Sequence, residues 1–161
     1  MYGLTQLGVF HTVISLIAVG AGLIALIRDR EISPRNGLGK TYLITTLITV
    51  LTSFGIFQHG GFGRGHVLGI ATLVVLAIAA LAARTRLFGR AASYVETVSY
   101  SATFLFHMIP GITEASTRLP LGAPWLSSPD APELKTATAI LFVVFLVGAA
   151  LQVRRLRARN S

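Results

Sequence analysis

The stretch GHVLGIATLVVLAIAALAA, residues 65–83, contains no formally charged side chain. A helix of about 17 to 25 apolar residues crosses the hydrocarbon core of a bilayer, and its backbone hydrogen bonds are satisfied within the helix. The whole chain is 53% hydrophobic, which is high for a soluble domain of 161 residues. This stretch therefore predicts a membrane-spanning helix.

Four further blocks are also free of formal charge, at 1–27, 41–63, 97–113 and 136–153. Their apolar residues do not alternate as the strands of a membrane barrel would. We therefore expect an all-α integral membrane bundle in which residues 1–161 form a single membrane domain. Its five transmembrane helices are predicted near 5–27, 41–58, 66–83, 92–109 and 136–153.

The basic residues are unevenly shared between the two sides of these predicted helices. One side is formed by the first and third connections and the C-terminal tail, and it holds Arg28, Arg30, Arg35, Lys40, Arg84, Arg86, Arg90, Arg154, Arg155, Arg157 and Arg159. The other side holds Arg64, Arg118 and Lys135. Because Lys and Arg are retained in the cytoplasm, the first side is predicted to be cytoplasmic. The N-terminus is then outside, the C-terminus is cytoplasmic, and the expected location is the plasma (inner) membrane, as a multi-pass protein.

The formal net charge of +8 has the same explanation. The cations flank apolar segments, where anionic lipid headgroups favour them, so the expected partner is the lipid bilayer and not nucleic acid. The chain contains no cysteine, which excludes disulfides, thiolate metal sites and iron–sulfur clusters. A membrane partner subunit or a homo-oligomer is compatible with this pattern.

The connection 110–135 is the longest in the chain and carries five of its six prolines. Proline interrupts helices, so we predict an irregular outer cap with at most one helical turn near residues 113–119. Within that turn, Glu114 and Arg118 have the i, i+4 spacing of an ion pair.

All four histidines fall in the outer half of the predicted bundle: His11, His59, His66 and His107. Imidazoles at matched depth on neighbouring helices can converge on zinc, copper or iron, with Glu114 as an additional ligand. His11 and His107 are the two deepest, and they are the expected axial ligands of a non-covalent haem b, since no C-x-x-C-H string is present. The sequence therefore favours a metal- or haem-binding membrane protein in redox transfer or metal handling. The competing structural interpretation is that the histidines only bond to backbone, water or hydroxyl groups.

Span four also carries a polar stripe, Glu96, Tyr100, Thr103 and His107, with spacings of four, three and four residues. This spacing places the four side chains on one helical face, which is predicted to point into the bundle. The stripe favours a second hypothesis, a small transporter or proton-coupled subunit that uses these residues as a polar track. Glu96 is otherwise expected to pair with Arg86 or Arg90, and a third hypothesis makes the chain an accessory or scaffold subunit.

Residues 35–42 read Arg-Asn-Gly-Leu-Gly-Lys-Thr-Tyr at the entry to the second span. This segment resembles a family of bacterial predicted membrane proteins of unknown function, whose members read His-Arg-x-Leu-Gly-Arg-x-Tyr there. The chain keeps the leucine, the glycine, the basic residue and the tyrosine, whereas Arg35 and Asn36 replace the His-Arg pair. The resemblance covers the first half of the chain and implies a bacterial origin without a mechanism.

Overall fold

A computed structural model describes residues 5–56 and 61–160 of the protein. Over these residues the chain is all-α, as predicted, and contains no strand. The helices in chain order are α1 Gln6–Arg28, α2 Gly37–Ser53, α3 Arg64–Arg84, α4 Ala92–Arg118 and α5 Pro132–Asn160, and one turn of 3-10 helix, Gly89–Ala91, leads into α4.

Local capping explains where the first three helices begin. The Thr5 hydroxyl accepts a hydrogen bond from Gly8 N–H at the start of α1, at 3.1 Å. The Asn36 side chain accepts from Gly39 N–H at 2.8 Å and so begins α2. His66 has a similar role at α3, because its Nδ1 accepts from Gly63 N–H at 3.1 Å.

α4 is the central helix of the bundle. It packs against α3 and α5 along its length and touches α1, while α1 packs closely against α2. Small residues allow this close approach, since Ala18, Ala21 and Ala25 of α1 are buried in the core. At Gly22 an added Cβ would lie 2.7 Å from Phe104 and 2.8 Å from Tyr42, so only glycine fits there without a shift.

Within the described residues three helices, α1, α3 and α5, are long and apolar enough to cross a membrane, and not the five that were predicted. α2 has 17 residues, and α4 carries Glu96, His107 and many hydroxyl side chains. The prediction counted blocks without formal charge. Ser, Thr, Tyr and His carry no such charge but still make a helix polar, so a charge-free block such as that of α4 need not form an apolar helix.

The prediction of an irregular outer cap over 110–135 is wrong for residues 110–118, which are helical. α4 continues through Pro110 to Arg118, and α5 begins at Pro132, so the connection is confined to residues 119–131. One proline removes a single backbone donor, and the surrounding turns keep the helix continuous. Glu114 and Arg118 form the predicted ion pair in the last turns of α4.

Candidate functional site

The polar stripe of α4 faces the interior, as its spacing predicts. The side chains of Glu96, Tyr100, Thr103 and His107 are all buried. On α2, Tyr42 and Thr46 are buried opposite them. The facing residues of α2 and α4, together with Arg35, Thr52 and His11, form a polar column through the bundle.

Glu96 lies at the arginine-rich end of this column, and its partner is Arg35. Arg35 Nη2 donates to Glu96 Oε2 at 2.8 Å, and this hydrogen bond raises the pKa of the Arg35 guanidinium. The expected pairing with Arg86 or Arg90 is therefore wrong, because the segment between α1 and α2 brings Arg35 to the start of α4. The second carboxylate oxygen, Glu96 Oε1, is buried and has no hydrogen-bond partner among the described residues.

Two hydroxyl groups meet in the middle of the column. The Tyr42 hydroxyl lies 2.8 Å from Thr103 Oγ1, and the Thr103 hydroxyl donates to the Tyr100 carbonyl at 2.7 Å. A hydroxyl has one proton to donate, so Tyr42 is the donor and Thr103 the acceptor. Tyr42 is fully buried, and this bond satisfies its polar end.

Each of the two deep histidines bonds to a threonine of α2. His107 Nε2 lies 3.0 Å from Thr46 Oγ1, and His11 Nδ1 lies 2.9 Å from Thr52 Oγ1. The Thr52 hydroxyl donates to main-chain carbonyls at 2.9 Å, so its oxygen accepts from His11 Nδ1–H. In the neutral ring this leaves His11 Nε2 as an acceptor.

The hydrogen bonds that join α4 to α2, and to the segment just before α2, share one register. Arg35 with Glu96, Tyr42 with Thr103, and Thr46 with His107 are each separated by 61 residues. A constant difference means that α2 and α4 run parallel, with their polar faces aligned turn by turn. Arg35, Tyr42 and Thr46 were not predicted as site residues, although Tyr42, Thr46 and Thr49 have the i, i+4, i+7 spacing that marks one buried face.

Of the other predicted metal ligands, His66 does not join the column. The His66 ring stacks on Phe62 with ring centroids 5.1 Å apart, and its Nδ1 caps α3, whereas His59 lies outside the described residues. The Glu114 carboxylate pairs with Arg118. Across residues 5–56 and 61–160, no three His, Asp or Glu side chains come together as a metal-binding group. The metal and haem sites stay predictions.

Comparison of the chain with protein-family models, curated proteins and solved structures finds no match. The family resemblance of residues 35–42 stays a prediction.

Proposed function

We propose that this chain is a multi-pass protein of the bacterial plasma membrane, with its N-terminus outside, and that its polar column carries protons in a proton-coupled transporter or subunit. In this arrangement all five helices cross the bilayer. α1, α3 and α5 supply the apolar surface, and almost all of the apolar stretch of α5 is exposed on the isolated chain, as lipid contact requires.

The parallel register of α2 and α4 supports the five crossings. A chain that crosses the bilayer at every helix must run in the same direction in its second and fourth helices. α2 has 17 residues and α4 carries many polar side chains, but the polar side chains of the two helices face each other and leave apolar side chains outside. Ile44, Leu47 and Leu51 of α2 are exposed in this way.

The observation that carries the proposal is the succession of buried polar groups along the column. Ionisable side chains inside a membrane are costly and usually serve ion or proton pathways. Glu96 stands at one end, the imidazoles of His107 and His11 at the other, and the hydroxyls of Tyr42 and Thr46 lie between them. Hydroxyls both donate and accept, and an imidazole can take a proton at one nitrogen and release it at the other. The unpartnered Glu96 Oε1 offers an additional proton acceptor.

Proton flux into liposomes tests the proposal. The purified protein is reconstituted with a pH-sensitive dye inside, and a potassium diffusion potential drives the flux. We expect Glu96→Gln and His107→Ala each to lower the flux roughly tenfold or more, since each removes a proton-accepting group. Glu133→Gln is the matched control, because Glu133 lies in the first turn of α5, away from the column. Flux that equals that of empty liposomes, or that survives both substitutions, rules the proposal out.

A metal ion or haem bound by His11 and His107 is the second candidate. The hydrogen bond to Thr52 favours it, because it leaves a lone pair on His11 Nε2, whereas His107 would bind through Nδ1 since Thr46 occupies its Nε2. Haem, iron or copper held there would supply redox chemistry, whereas zinc would not. Elemental analysis of the purified protein tests this candidate beside His107→Ala: stoichiometric iron, copper or zinc that falls in the variant would favour it over proton transport.

A further inference from the structure

A second face of α4 lines an apolar groove, separate from the polar column. The groove has a volume of about 1000 Å³ and lies between α1, α4 and α5. α1 and α5 have no close backbone contact with each other over the described residues, so the groove lies between two helices that do not close over it. Its lining includes Leu23, Phe104, Met108, Val144, Phe145 and Gly148.

The arginine-rich end of the groove is built from hydrogen bonds between distant parts of the chain. Ser101 donates to Gln152 Oε1 at 3.0 Å, and Gln152 Nε2 donates to the Arg30 carbonyl at 3.0 Å. Arg155 Nη1 donates to the Asp29 carbonyl at 2.7 Å. These bonds hold Arg30 in the left-handed region, with a φ of 61°, where a non-glycine residue needs support from its surroundings.

The charge at this end is positive and only partly compensated. The Asp29 carboxylate accepts from Arg28 at 2.7 and 2.8 Å and from Asn36 at 3.0 Å. The hydrogen bonds from Arg28 hold the pKa of the Asp29 carboxyl below its usual range. Arg30 and Arg154 both line the groove, and neither has an acidic partner in the described part of the chain.

We infer that this groove binds one anionic glycerophospholipid, with its phosphate at Arg30 and Arg154 and its acyl chains along α1, α4 and α5. Arginine is well suited to phosphate, and cationic side chains attract anionic headgroups near the membrane surface. The volume is at the upper end of ligand pockets, which run from about 300 to 1,000 Å³, and its lining is far more apolar than a polar metabolite needs. The inference requires the membrane placement proposed above, but not the proton path.

Native mass spectrometry tests this inference on the full-length protein. The protein is reconstituted with equal parts of phosphatidylcholine and phosphatidylglycerol, extracted gently, and the retained lipids are counted. The wild type should retain one phosphatidylglycerol in preference to phosphatidylcholine. Arg30→Ala with Arg154→Ala should lower that occupancy by roughly fivefold for each arginine removed. The control, Arg86→Ala with Arg90→Ala, removes the same charge from the same predicted side, away from the groove, and should change nothing.

A second variant tests the groove without altering its charge. A Cβ added at Gly148 meets nothing within 4 Å, and Gly148 lines the groove, so Gly148→Leu places extra apolar volume there. It should reduce retention of either lipid, whereas Gly20→Leu, which also has open space at its Cβ but does not line the groove, should not.

Three results would overturn the inference. The first is equal retention of the two lipids by the wild type, and the second is an equal loss of phosphatidylglycerol in the Arg86 and Arg90 control. The third is a lipid-free dimer that Gly148→Leu dissociates, because it would identify a second copy of the chain as the occupant of the groove. The assay counts lipids and not protons, so its result is independent of the flux experiment.

Discussion

The face of α4 that belongs to the polar column and the face that lines the apolar groove differ in how closely neighbouring side chains pack against them. Toward α2, hydrogen bonds between side chains join the helices turn by turn, and Tyr42 and Thr103 are fully buried. On the other face, α1 and α5 do not meet over α4 and leave a groove of about 1000 Å³ with an apolar lining. A polar face requires direct partners because unpaired buried polar groups are costly, whereas an apolar face can be completed by lipid. The first face is therefore expected to be sensitive to small changes and the second tolerant of them.

The largest expected effect comes from Gly39→Ala, which disrupts both faces together. An added Cβ would lie 1.8 Å from the Ser33 carbonyl oxygen, a backbone atom that cannot rotate away. The segment that would have to move carries Arg30 to the groove and Arg35 to Glu96. We expect a loss of more than about 4 kcal/mol, so that little folded protein is recovered.

Size-exclusion chromatography in detergent measures that recovery. Gly37→Ala is the matched control, since it lies two residues away and its Cβ would meet nothing within 4 Å. Equal recovery of the two variants would show that the loop packs less closely against α2 than described.

The difference between the faces is tested directly by Gly22→Ala and Gly148→Ala. At Gly22 the new methyl group would collide with Phe104 and Tyr42, and at Gly148 it would enter open space. We expect Gly22→Ala to lower the free energy of unfolding by about 2 kcal/mol through overpacking. Gly148→Ala should be neutral or stabilise α5 by up to about 1 kcal/mol, because alanine is the better helix former. Thermal unfolding in detergent, followed by circular dichroism, compares the two, and a reversed order would contradict the comparison.

A smaller effect is expected from removing one hydrogen bond of the polar column. Tyr42→Phe removes the donor to Thr103, while Thr103 keeps its own bond to the Tyr100 carbonyl. The expected cost is about 1 kcal/mol, and proton flux should fall as well if the column conducts. Tyr94→Phe on the half-buried start of α4 is the control. A variant that matches wild type in both stability and flux would remove Tyr42 from the column.

The smallest effect concerns pH at the groove end. The hydrogen bonds from Arg28 lower the pKa of Asp29 below its ordinary value of 3.8. A lowered pKa in the folded state means that the carboxylate stabilises the fold fully above that ordinary value, and that this contribution is lost as pH falls through the folded pKa. The unfolding midpoints of wild type and Asp29→Asn should therefore differ slightly near neutral pH and converge as the pH falls below that ordinary value. A difference that grows on acidification would contradict this account.

Local patterns were enough to predict much of the molecule. Charge-free apolar blocks predict the α1, α3 and α5 helices, because a helix forms from neighbouring residues and its hydrophobicity is a sum over them. The spacing of Glu96, Tyr100, Thr103 and His107 predicts their common buried face for the same reason. The same local rule failed at Pro110, where proline predicts an interruption but the turns on both sides keep α4 continuous.

Partners distant in sequence could not be predicted in this way. Glu96 bonds to Arg35, 61 residues away, and not to the nearby Arg86 or Arg90, because the segment before α2 lies across the start of α4.

The sequence by itself thus determined the all-helical architecture, the apolar character of three helices, the inward polar face of α4 and the basic end of the chain, since each is a property of consecutive residues. Only the tertiary structure decided the parallel register of α2 and α4, the threonine partners of His11 and His107, and the groove beside Arg30 and Arg154. Each of these depends on how whole helices are placed against one another, which is settled by packing between surfaces and not by the order of residues within one helix.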